Sequence, residues 1–279
     1  MSSSESTSKM PAIMPYHTMR GHTGRISGIV HLPGEQIITC SYDGSLRLWD
    51  LENGTQMGKE WRDGSDAVWS MALSPNGKII ATGSGLNNDI RLWDIEKRKV
   101  IAKWKGHTGV VRALCWSGDG KRVASGSWDG TARVWNVKRG KNILTIITGH
   151  PVWAVTYSPD SSKLAMGGDF AVKIWDVANF AKTGELLNTL KHNSVVNSLA
   201  WTSDGKKLIS GSFGPIRIFD TATWRQIAIL EGHTTPSPCL RTTASLRVHH
   251  GIKQRVYGIS IQTSQSVHPF SMNSRMCVL

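Results

Sequence analysis

Five segments of this chain end alike: "SLRLWDL", "DIRLWDI", "TARVWNV", "AVKIWDV" and "PIRIFDT". Their aromatic residues, Trp49, Trp93, Trp135, Trp175 and Phe219, stand 44, 42, 40 and 44 residues apart. A unit recurring at this period constrains the fold more than any single motif, because each copy takes the same local structure and must bury its faces against its neighbours. Within each unit a mostly apolar run such as "VWSMALS" or "VVRALCWS" is followed by a turn, a second apolar run such as "KIIATGS" or "RVASGS", another turn, and the run that carries the aromatic. The turns "PNGK", "GDGK", "PDSSK" and "SDGK" set Asn-Gly or Asp-Gly types between apolar runs, which is hairpin chemistry. A fourth run ("VIAKWK", "ILTIIT", "LLNTL", "IAIL") closes each of the later units.

These patterns predict an all-β chain of four-stranded antiparallel units. Near-continuous apolar runs suit strands covered on both faces, as when sheets stack around a ring. Composition agrees: 12 Trp and 28 Gly beside only 5 Phe and 4 Tyr fit one Trp-bearing unit repeated between tight turns.

Units of 40 to 44 residues with "GH", an Asp six residues before Trp and a terminal Trp-Asp resemble the WD-repeat β-propeller family. The resemblance covers residues 15–232, with units at about 21–61, 62–105, 106–148, 149–191 and 192–231. It implies five blades of an incomplete ring. It also implies that "YHTMRGH", Tyr16 to His22, is a fourth-type strand able to latch such a ring.

In that family the His, turn Asp and strand Trp share one buried hydrogen-bond network per blade. This carries over to His22, Asp43 and Trp49, to His107, Asp129 and Trp135, and to His150, Asp169 and Trp175. The second unit departs, with Asn87 at the Asp position and no His; the fifth has His192 without Gly, Gly214 for Asp, and Phe219 for Trp. The hydroxyl that often joins the network is sought three residues before Asp, where Cys40 and Gly126 stand. The expectation is therefore a network of at most three members in the first and third units.

A His beside an Asp invites a catalytic reading, but recurrence in register with Trp makes these structural histidines. The chain has no Gly-x-Ser-x-Gly elbow, no Gly-x4-Gly-Lys-Ser/Thr phosphate loop and no His/Cys/Asp cluster at metal spacing. No enzyme activity, cofactor or metal is expected. Cys40, Cys115, Cys239 and Cys277 are widely separated, which suits a reducing compartment. No apolar run of 18 residues occurs and the polar start "MSSSESTSKM" reads as a disordered tail over 1–14, so an intracellular location, cytoplasmic or nuclear, without membrane association is expected.

The resemblance implies that partners meet the narrow top face, through the residue before the turn Asp and the positions three and five after the repeat His. Carried over, these positions include Arg25, Ser27 and Tyr42, then Ala67, Trp69 and Leu86, then Val110, Arg112 and Trp128, then Trp153 and Gly168, and finally Val195, Asn197 and Phe213. The candidates for partner contact are Arg25, Tyr42, Trp69, Arg112, Trp128, Trp153, Asn197 and Phe213. Five aromatics and two Arg match the composition of protein-binding hot spots. Trp69 and Trp153, which begin apolar strands, can equally be read as packing between blades.

The expected partner is a protein or peptide, with nucleic acid or a chromatin tail as the alternative. The net charge of +13 motivates that alternative. Five basic residues fall in 233–279, which holds no acid, leaving +8 elsewhere. Five more form one column, Arg47, Arg91, Arg133, Lys173 and Arg217, where a repeated position implies packing of the stem rather than a phosphate stripe.

After "EGHT", Glu231 to Thr234, the pattern stops. Reading the last base of each codon with the first two of the next allows "NAISLSPNDRLL" from Thr234 and "SWDKTARLWN" from His249, against "SWDGTARVWN" at Ser127 to Asn136. The expectation is that 233–279 is a repeat read out of frame, whose basic residues and cysteines carry no selected function. A genuine disordered tail is the other reading.

Overall fold

The computed structural model describes residues 18–178 and 184–231. It is all β. The first blade comprises β1 (Ile26–Leu32), β2 (Gln36–Ser41), β3 (Ser45–Asp50) and an outer strand broken into β4 (Thr55–Gln56) and β5 (Trp61–Arg62), both paired with β3. The second runs β6 (Val68–Leu73), β7 (Ile79–Ser84), β8 (Ile90–Asp94) and β9 (Lys99–Trp104). The third has β10 (Val111–Trp116), β11 (Arg122–Ser127), β12 (Thr131–Asn136) and β13 (Lys141–Ile147). The fourth has β14 (Ala154–Tyr157), β15 (Lys163–Gly167), β16 (Ala171–Asp176) and β17 (Glu185–Lys191). The fifth has β18 (Val196–Trp201), β19 (Lys207–Ser212), β20 (Ile216–Asp220) and β21 (Gln226–Leu230). Every pairing is antiparallel and, apart from β3 with β5, joins strands consecutive in sequence, as hairpin turns require.

The turn chemistry sets the register. Asp119 and Asp204 accept backbone N–H bonds two residues on, at 3.0 Å each, closing the first hairpins of the third and fifth blades. The fourth blade places Ser161, not Gly, in the left-handed region at φ +58°, and Ser161 Oγ accepts a bond from the Gly118 N–H of the third blade at 2.8 Å. That bond ties the turns of two blades together and offsets a conformation that costs a residue with a Cβ.

The core lies between blades. One face of each of the first four blades packs against the aromatic-bearing face of the next: Ile38 and Leu46 with Ile80 and Trp93, Ala81 and Ile90 with Val123 and Trp135, Ala124 and Val134 with Leu164, and Ala165 and Val172 with Leu208 and Phe219. Burying each of the larger side chains (Val, Leu, Ile, Phe) contributes about 1.5–3 kcal/mol, so each blade draws stability from its neighbour. The inner strands pack in series, β1 on β6, β6 on β10, β10 on β14 and β14 on β18, and no packing of similar extent joins β18 to β1 among the described residues.

Thr18–His22 forms no strand, so the described part of the proposed latch is not paired. Tyr16, His17 and the out-of-frame reading of 233–279 lie outside the described residues.

Candidate functional site

The first and third blades are locked from within. In the third, Trp135 Nε1–H donates to Ser125 Oγ at 2.9 Å, Ser125 O–H donates to His107 Nε2 at 2.7 Å, and His107 Nδ1–H donates to Asp129 Oδ2 at 2.8 Å. An indole only donates and a carboxylate only accepts, so this order leaves the imidazole neutral. Asp129 also accepts the Thr131 hydroxyl at 2.7 Å and the Thr108 N–H at 3.0 Å, pinning the link between blades to the turn. The first blade repeats the arrangement with Trp49, Thr39, His22 and Asp43.

These networks have four members, which corrects the expectation of three. The hydroxyl sits four residues before Asp, not three: Thr39 and Ser125 lie two positions along from Ile37 and Val123, the cross-strand partners of Trp49 and Trp135. Each neutral bond contributes about 1 kcal/mol, and those to the carboxylate more. Burial pushes the His22 and His107 pKa values below the ordinary imidazole value, outweighing the raising effect of their aspartates. Burial alone would raise the Asp43 and Asp129 carboxyls, but bonds from Ser45 and Thr131, the histidines and backbone N–H groups hold both below the usual range.

The fourth blade overturns the third expected network. Met166 occupies the hydroxyl position, two along from Leu164, the partner of Trp175. Trp175 Nε1 consequently finds no hydrogen-bond partner among the described residues. His150 is exposed, and Asp169 Oδ1 instead accepts a bond from Trp153 Nε1 at 3.2 Å. A thioether cannot supply the hydroxyl relay that seats the histidine, and Met166 joins the apolar core instead.

The second blade uses ions. Asp66, in the link preceding β6, accepts the backbone N–H groups of Leu86 and Asn87 at 2.8 and 3.0 Å, so the carboxylate has moved from turn to link and its bonds run the opposite way. Arg91 lies 5% exposed with Asp63, Asp66 and Asp89 within 3.7 Å. Trp93 Nε1 still donates to Thr82 Oγ1 at 2.9 Å. In the fifth blade His192 Nε2 faces Ser210 Oγ at 3.1 Å, its buried Nδ1 has no hydrogen-bond partner among the described residues, and burial with Arg217 nearby pushes its pKa down to about 4. Elsewhere in the basic column, Arg47 donates to Gln56 Oε1 at 2.5 Å and Arg217 to Gln226 Oε1 at 3.0 Å. Arg47, Arg91 and Arg217 of the column are thus engaged by polar groups of the chain itself.

At the end of the blades where the second strand turns into the third, four candidate side chains from four blades meet. The Tyr42 and Trp69 ring centroids are 4.4 Å apart, Trp69 and Trp128 5.0 Å, and Trp128 and Trp153 5.4 Å. Trp69 and Trp153 therefore pack between blades and line the face at once. Arg25 stands 5.9 Å from the Tyr42 centroid, and Arg112, half-buried on β10, feels both Arg25 and Tyr42 electrostatically. Trp128 keeps 37% of its surface exposed. Phe213 is 65% exposed and stands apart from the ladder, and Asn197 is half-buried on β18.

One residue of this face escaped the sequence reading. Phe170 follows Asp169 where Gly44 and Gly130 follow the other turn aspartates, and it takes φ +61° with 61% of its surface exposed. A bulky residue in a glycine conformation is a strained feature; the missing Gly after Asp169 was its signal. Among the described residues no three His, Cys, Asp or Glu side chains are placed to hold a metal ion, and no helix is long and apolar enough to cross a membrane.

Serial four-stranded antiparallel blades whose shared end carries a row of aromatic rings define a propeller-type repeat architecture. The WD domain, G-beta repeat family matches residues 14–50, 58–94, 98–136, 141–176 and 184–214, and the chain belongs to this WD40 family. Such repeats generally serve as non-catalytic scaffolds that mediate protein interactions. The later matched windows begin on the outer strand of one blade and enter the next, so the repeat in sequence straddles the inter-blade link that the His–Asp pair fastens. Pre-mRNA-processing factor 19 of Oryza sativa subsp. japonica is 28% identical over 214 residues, which cover 73% of this chain and 40% of that relative. The chain thus spans well under half of the relative's length.

Proposed function

We propose that the chain is a non-enzymatic scaffold that presents the ladder Tyr42–Trp69–Trp128–Trp153, flanked by Arg25 and Arg112, to a protein or peptide partner. The observation that carries this is the continuity of the ladder across four blades. Rings held by their neighbours bind with little loss of side-chain freedom, which makes them effective anchors. Phe213 and Asn197 extend the same face over the fifth blade. The relative's name places it in pre-mRNA processing, and we carry that setting over, with a nuclear location, to the propeller of residues 15–232. Residues 1–14 and 233–279 take no part in this reading.

The test compares partners recovered with the intact chain, with Trp128→Ala, and with Lys121→Ala in a turn at the opposite end of the blades. Loss of a specific partner in Trp128→Ala only, at unchanged melting temperature, supports the reading; identical recovery in all three refutes it. The net charge of +13 keeps nucleic acid as a second reading. Affinity falling steeply with salt would favour phosphate contacts over a protein partner.

A further inference from the structure

Four blades bury the same sheet face, and among the described residues the fifth leaves part of it exposed. On the second strand, Ile38, Ala81, Ala124 and Ala165 are each 0% exposed, pressed on the aromatic-bearing face of the following blade. On the outer strand the anchor of that face is Trp61, Trp104, Ile146 or Leu190, all buried. Register puts Leu230, paired with Ile216, at the anchor position of the fifth blade, where it is 49% exposed. Ile209, Ile216 and Ile218 of this face are only partly buried.

Backbone shape tells the same story. A Cβ on Gly126 or Gly167 would come within 2.6 Å of Val152 or Val196 of the next blade, so glycine there admits the neighbour's inner strand. Gly211 holds the equivalent place, and among the described residues a Cβ on it would meet nothing nearer than Ser198 of its own blade, at 3.4 Å. The fifth blade thus carries both the apolar anchor and the clearance that its predecessors use to receive a blade. A second copy of this chain would have to offer the matching face of its first blade, where Ile37 and Trp49 are already buried.

We propose that this face is the seat of a sixth blade of the same repeat type, encoded by the gene in the reading frame offset after Thr235. The chain approaches that blade as it approaches the third. His233 follows the anchor Leu230 by three residues, as His107 follows Trp104. The partners of His107 lie in the blade that comes next, and the offset frame allows the Ser-Trp-Asp and second Trp that such a partner blade carries.

The gene read in three frames gives the first test: an open offset frame with Trp-Asp across residues 249–259 is expected, and a stop codon or no Trp-Asp there overturns the proposal. The second test compares the chain as it stands with one carrying the offset-frame repeat from residue 235. Leu230→Asp is expected to lower the melting temperature by under about 2 °C in the first and by about 10 °C in the second. A cysteine at this site (Leu230→Cys, with Cys239→Ser and Cys277→Ser) should react with a thiol reagent at least about tenfold more slowly in the extended chain. Cys40 is buried and Cys115 partly buried, and burial pushes both thiols up to about 12, so both react far more slowly than an exposed cysteine. Equal losses, equal labelling rates, or an extended chain less stable than the original each overturn it.

Discussion

The third and fourth blades are neighbours, carry the same Gly-His, Asp and Trp markers, and are held together differently. In the third, a relay from Trp135 through Ser125 and His107 to Asp129 fixes the inter-blade link to the turn. In the fourth, Met166 fills the relay's place, His150 faces solvent, and Asp169 turns to Trp153. One side chain decides between a polar lock and an apolar plug, because the relay needs an atom that both donates and accepts at that single point. The markers alone do not make the lock.

Removing the plug should have the largest effect. Met166→Ala empties a buried site in the inter-blade core and is expected to cost about 2–5 kcal/mol in chemical denaturation; a loss below about 1 kcal/mol would show that the fourth blade does not depend on it. Breaking the lock comes next. Asp129→Ala leaves His107 and backbone N–H groups unsatisfied and should cost about 1–3 kcal/mol, more than Asp169→Ala measured in parallel.

Acid sharpens the contrast. His107 has a folded pKa below its unfolded value, so the stability it contributes is complete above about pH 6.5 and declines as pH falls below that value. The aspartates, also depressed, lose their contribution only at lower pH, below the ordinary carboxylate range. Melting temperature is therefore expected to fall between pH 7 and pH 5, and to do so along a flatter curve for His107→Gln. Parallel curves for the intact chain and His107→Gln would remove His107 from the lock. The smallest difference lies in the indoles: Trp135→Phe should cost about 1 kcal/mol more than Trp175→Phe, since only the first gives up a hydrogen bond.

Repetition made the fold legible in the sequence. Turn types and apolar runs recur five times, so an error in one unit is corrected by the others, and the all-β blade pattern follows. The locks were less legible because they depend on strand register. Ser125 was missed by counting back from Asp129, whereas the register that matters runs across the sheet from Trp135. Asp66 was missed because its carboxylate moved to the link, leaving the familiar Asp position to Asn87 while preserving the bonds with donors and acceptors exchanged. His150 matched in letters and failed in geometry, since its partner position holds Met166. Tyr42, Trp69, Trp128 and Trp153 could each be singled out, but not their contact, because residues from four blades meet only when the blades assemble.

That contact has an optical consequence. Aromatic rings 4.4 to 5.4 Å apart and inclined at fixed angles between 35° and 68° share their electronic excitation. Such fixed, skewed packing of neighbouring rings is expected to give the ladder a near-ultraviolet circular dichroism signal that Trp128→Ala reduces. A change at Trp128 is therefore felt by the rings packed on either side of it, Trp69 and Trp153.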